Sequence, residues 1–141
     1  MFKPIPITSY TSLSWHISGM RMTQEYEIVK KGDETEVSEY ELRCVTGGGR
    51  ERELQRRVLC TEERMLELLN QFPVMKWDGF HGKHPRGVLD GEMFSFRATV
   101  NDGVSIHAEG SANFPKGFHE FRRAIHLLLS EQEEPDGTQS V

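Results

Sequence analysis

Apolar and polar positions along the chain follow two periods, and the switch between them divides it. Residues 13–22 alternate in part, with Trp15 and Ile17 on one side and His16 and Ser18 on the other. This predicts a strand, with Gly19 a bulge position. Residues 1–12, interrupted by Pro4 and Pro6, read as extended and irregular. Residues 24–31 predict a second strand with Tyr26 and Ile28 pointing one way, ended by the turn Lys31-Gly32-Asp33-Glu34. In residues 35–46, Ser38, Tyr40, Leu42 and Cys44 alternate with Glu39, Glu41 and Arg43. Gly47-Gly48-Gly49 then turns the chain into a fourth strand, 52–60, with Leu54 and Val58 expected inward. Four strands with short connections imply an antiparallel meander.

The period changes at residue 61. Thr61 is a good N-cap, and Glu62 and Glu63 lie where a helix dipole favours anions. Met65, Leu68, Leu69 and Phe72 share one helical face over 61–72, and Pro73 ends the helix. Residues 73–91 form a long connection broken by Pro73, Gly79, Gly82, Pro85, Gly87 and Gly91. Loops of this length in a compact domain usually have a task. Residues 92–101 are a strand with Phe94, Phe96, Ala98 and Val100 on one face and Ser95, Arg97 and Thr99 on the other. Asn101-Asp102-Gly103 is a hairpin turn, after which Val104, Ile106 and Ala108 are expected inward and Ser105, His107 and Glu109 outward. A last helix is predicted over 115–131, with Pro115 at its first position and Phe118, Phe121, Ile125 and Leu128 as its buried stripe. The order ββββα-ββα groups strands in runs, which means α+β. The expected architecture is a single antiparallel sheet of about six strands with two amphipathic helices on one face. It forms one domain over 1–130, followed by an acidic, disordered tail at 131–141.

Composition agrees with an ordinary soluble domain: 141 residues, 36% hydrophobic and 28% charged. No stretch approaches the ~18 apolar residues of a membrane span, so no membrane partner is expected. Charge is regional. Residues 25–41 carry seven acids and two lysines, net −5, and residues 43–57 carry five arginines and two glutamates, net +3. The simplest reading is that these segments face each other across strands. A pI of about 5.7 without a dominant basic face disfavours nucleic acid. A turn at 46–51 would set Cys44 opposite about residue 53 and Cys60 opposite about residue 37, so no bridge is expected. The first residues lack the basic and apolar regions of a signal peptide, which points to a cytoplasmic protein with free, structural thiols.

Four constellations carry candidate chemistry. In the loop Trp77-Asp78-Gly79-Phe80-His81-Gly82-Lys83-His84, with Asp90 beyond, Asp78, His81 and His84 are the ligand types zinc takes. The alternative is two exposed histidines in a polar loop anchored by Trp77 and Phe80. On the last helix, His119, Arg122, Arg123 and His126 form a basic stripe suited to an acidic partner, or a solvated face. Arg43, Arg57, Arg97, His107 and Glu109 are placed on the polar sheet face, where they would bind a protein or a small anion or remain hydrated. Cys60 precedes a helix N-terminus, where a thiolate is favoured, but its inward alternation reads as a buried structural thiol. No nucleophile elbow, Walker loop, dinucleotide fingerprint or His-Glu-x-x-His is present.

Trp77-Asp78-Gly79-Phe80, Asp90-Gly91, Asn101-Asp102-Gly103 and Gly110-Ser111-Ala112-Asn113-Phe114-Pro115 follow one another at set intervals. This pattern, over roughly 60–130, resembles a family of small bacterial proteins of unassigned function. The resemblance implies a fold and brings no catalytic residues. The sequence therefore points to a non-enzymatic, protein-interaction domain without a cofactor. It would bind a protein partner or a second copy through the open sheet face or the last helix. The runner-up is a metal- or small-ligand-binding protein, with hydrolysis as its chemistry, centred on loop 77–90.

Overall fold

Each of the first four strands pairs antiparallel with its sequence neighbour, as the short turns require. The computed structural model describes residues 5–19, 23–87 and 91–139, with side chains as far as Glu131 and Cys44 excepted. The strands are β1 (Tyr10–Ser18), β2 (Thr23–Lys31), β3 (Glu34–Cys44), β4 (Arg50–Thr61), β5 (His81–Gly82), β6 (Met93–Val100) and β7 (Val104–Ser111). The helices are α1 (Glu62–Gln71) and α2 (Phe118–Gln139), with a 3₁₀ turn at Val74–Trp77. One sheet holds all seven strands in the order β4-β3-β2-β1-β6-β7-β5, antiparallel except where β5 joins β7 in parallel. The expected α+β class and meander are thus present. The seventh strand, β5, has two residues, too few to show a period.

β1 becomes the central strand by pairing on one side with β2 and on the other with β6. Trp15 lies opposite both Tyr26 and Phe96, with ring centroids 5.0 and 5.8 Å away. Phe121 of α2 closes over Trp15 at 5.4 Å. Trp77 packs against Phe96, Phe118 and Phe121, and its Nε1–H donates to the Lys116 carbonyl at 3.0 Å. Thr61 caps α1 by accepting the Arg64 N–H at 3.1 Å, and Met65 and Leu69 are buried. Phe118, Phe121, Ile125 and Leu128 of α2 are buried, as their spacing predicts. Both helices cover the same sheet face, so the other face is open. No helix among the described residues is long and apolar enough to cross a membrane.

Several expectations are corrected. β1 begins at Tyr10, three residues before the expected start, while the expected residues 20–22 lie outside the described residues. α2 begins at Phe118, because Gly117 has φ 89° and Pro115 sits in a turn whose carbonyl accepts the Phe118 N–H. Its backbone is helical to Gln139, beyond the expected 131. Leu54 is 44% exposed. Glu39 pairs with Arg56 and Tyr40 with Leu54, so Gln55 is an extra residue. This bulge moves Leu54 to the face opposite Val58. Val104 is also 44% exposed, because β5 reaches only Glu109 and Gly110 and leaves the start of β7 a bare edge. The β3–β4 register sets Cys44 opposite Arg50 and Cys60 opposite Thr35, which keeps the two cysteines apart.

Candidate functional site

The open face divides into a saturated half and an unsaturated one. On β2 to β4, Arg52 pairs with Glu25 at 3.2 Å and Glu27 at 3.3 Å, and lies 3.9 Å over the Tyr40 ring. Arg57 donates to Ser38 at 2.9 Å and Tyr40 at 3.0 Å. The acidic and basic segments do face each other across strands. Arg43 belongs to the other face: it shares parity with Glu39, which meets α2, and pairs with Glu53 at 2.6 Å.

On β1, β6 and β7 the outward residues form cross-strand rows: Ser12–Thr99–Ser105, Ser14–Arg97–His107 and His16–Ser95–Glu109. Small hydroxyl side chains leave a trench of about 530 Å³ with Arg97 and His107 in its lining. Arg97 forms no ion pair among the described residues. Beside it lies a cleft of about 440 Å³ lined by His16, His81, Lys83, His84, Glu109 and Ser111, with Met93 and Phe94 as its apolar side.

The glycine-rich loop is stitched to β7. The Asp78 carboxylate accepts the His107 backbone N–H at 3.0 Å, and the Gly79 N–H donates to the His107 carbonyl at 2.8 Å. His81 Nδ1 lies 2.9 Å from Glu109, and His84 Nδ1 lies 2.8 Å from the Ser111 hydroxyl. Asp78, His81 and His84 are therefore engaged separately, and among the described residues no three His, Cys, Asp or Glu side chains are grouped to hold a metal ion. Asp90 lies outside the described residues. Gly82 and Gly110 oppose each other because both back onto the Asn113 carbonyl, 2.6 and 2.1 Å from where a Cβ would stand.

The basic stripe of α2 splits. His119 is exposed beside the Phe114 ring, at 4.7 Å. Arg122 reaches Glu92 at 3.5 Å and Gln24 at 3.4 Å. Arg123 is exposed, with no ion pair among the described residues. His126 turns inward: its Nε2 is 2.8 Å from the Tyr26 hydroxyl and 3.8 Å from Glu39. Glu39, 5% exposed, accepts from Tyr26 at 2.9 Å and Arg56 at 2.8 Å. Burial pushes the Glu39 carboxyl's pKa up, but the hydrogen bonds from Arg56 and Tyr26 outweigh it and hold the carboxyl below its ordinary range. Burial lowers His126, and burial with the Glu39 carboxylate pushes the Tyr26 phenol well up. Sequence reasoning missed this cluster; its one signal is that Glu39 shares parity with the core residue Val37. Burial raises the Cys60 thiol, which disfavours a thiolate despite the nearby helix terminus. No protein-family model, curated protein or solved structure matches the chain.

Proposed function

We propose that the protein is a binding domain that takes an extended acidic segment of a protein partner along the serine-lined trench. The observation that carries this reading is Arg97. On the face where Arg52 and Arg57 are both engaged with neighbouring side chains, Arg97 stands without a carboxylate among the described residues, between small hydroxyl donors and His107. A guanidinium fork presented this way suits a carboxylate. Along β1 the trench runs from Ser12 to Ser14, two residue steps or about 7 Å at ~3.3 Å per residue, so two or three residues of an extended segment would lie directly over it. A cytoplasmic setting fits the free Cys60. The test is an NMR titration with a hexaglutamate peptide. Shifts should concentrate at 12–14, 95–99 and 105–107, and affinity should fall at least about tenfold in a folded Arg97→Glu variant. Shifts confined to α2, or equal affinity in Arg97→Glu, would refute the reading.

A further inference from the structure

We propose that the cleft beside the trench is an ester-hydrolysing site in which Ser111 is the nucleophile and His84 its base. The pair is preassembled: His84 Nδ1 lies 2.8 Å from the Ser111 hydroxyl, and solvent reaches both. With its proton on Nε2, the imidazole accepts the hydroxyl proton at Nδ1, the arrangement that activates a serine. Ser111 is the last residue of β7. The next residue, Ala112, has φ 52°, and its N–H is tied to the Glu92 carbonyl at 2.7 Å, so the strand stops in a fixed sharp bend at the nucleophile.

The surroundings name the substrate class. The cleft of about 440 Å³ falls in the range of roughly 300–1,000 Å³ that small molecules occupy. Met93, 56% exposed, gives an apolar wall for a short acyl chain, and Lys83 adds a positive charge to the lining of the same cleft. A small carboxylic ester fits this lining. Ser111 Oγ attacks the carbonyl carbon as its proton passes to His84. The ester C–O bond breaks, and the alcohol leaves with that proton. Water, deprotonated by His84, attacks the acyl-serine; the acid departs, and Ser111 recovers its proton. This site is independent of Arg97 and stands or falls separately from the trench.

The experiment incubates the full chain with an alkyl fluorophosphonate, followed by intact mass and peptide mapping. The Ser111 Oγ–P bond forms as the P–F bond breaks and fluoride leaves, with the hydroxyl proton taken by His84. One adduct is expected, mapped to Ser111, absent in Ser111→Ala, and formed about 10²- to 10⁴-fold more slowly in His84→Gln. Hydrolysis of p-nitrophenyl acetate should fall in parallel. Mapping on the wild type needs no variant to fold. An unlabelled wild type, an adduct on another residue, or unchanged labelling in a folded His84→Gln variant would overturn the proposal.

Discussion

Replacing Glu39 by alanine tests whether the polar cluster under α2 is a structural joint. The carboxylate side chain is 7% exposed and accepts two hydrogen bonds, from Arg56 Nε and from the Tyr26 hydroxyl. Hydrogen bonds to a charged group contribute about 1.5–3 kcal/mol each. Deleting one partner of a buried pair costs about 3–5 kcal/mol, because the other charge is left without compensation. Arg56 keeps 20% of its side-chain surface and donates to Ser130, so water and the hydroxyl recover part of that loss. We expect about 3 kcal/mol for Glu39→Ala. For a chain of this size that is a fall in Tm of roughly 10 °C, at about 3–4 °C per kcal/mol. Glu39→Gln keeps an acceptor in the same volume and should cost about 1 kcal/mol. Urea unfolding followed by tryptophan fluorescence reads the effect, since Trp15 stacks on Tyr26. A double-mutant cycle with Arg56→Met assigns the shared part. A loss below about 1 kcal/mol for Glu39→Ala, with an unchanged m-value, would show that the carboxylate is not holding the sheet to the helix.

Three further outcomes are expected. The folded state holds both His126 and Glu39 below their ordinary values of 6.5 and 4.5, so the unfolded chain binds protons more readily. Stability should therefore be full above pH 6.5, fall through the imidazole range, and fall further below pH 4.5; in His126→Gln the first decline should vanish, and its persistence would assign it elsewhere. Gly110→Ala should cost at least about 2–3 kcal/mol, since the new Cβ would stand 2.1 Å from a backbone carbonyl that has no rotamer to escape into; a melting curve within 2 °C of wild type (about 0.5 kcal/mol by the same conversion) would contradict that packing. In a Cys44→Ser background, Cys60 should react with a disulfide reagent about tenfold more slowly than a free thiol at pH 8 and at full rate in urea; equal rates in both would mean the thiol is open to solvent.

The secondary structure was legible where a period ran long enough to be counted. Met65 and Leu69, or Phe94 to Val100, announce their faces by spacing alone, and Thr61 announces a cap. What escaped were features decided by one residue or by a distant partner. The bulge at Gln55 inverts Leu54 without any change in the local alternation. β5 exists only because β7 offers it an edge. Glu39 reads as an outward acid beside Glu41, and it is buried because α2, some eighty residues later, brings His126 over it. His84 and Ser111 are 27 positions apart, and their meeting depends on the loop being stitched to β7. Gly110 stands in the sequence only as the start of the stretch running to Pro115, and the reason for a glycine there, the close approach of the Asn113 carbonyl, needs the folded chain.

The central place of β1 has a consequence for how the chain acquires its structure. β1 is the first strand made, yet its second neighbour, β6, begins at Met93. The meander from Tyr10 to Thr61 relies on near-sequence contacts and can form early. Its greasy side, carrying Trp15, Tyr26 and Ile28, then waits for Phe121 and Ile125. Those residues lie about 60 positions further on, roughly 3–12 s of synthesis at ~5–20 residues per second. During that interval the half-built sheet presents aromatic surface and an unpaired β1 edge to everything around it. Truncations before residue 118 should therefore yield insoluble chains, and the yield of full-length protein should respond to translation speed more than to the stability of the finished fold.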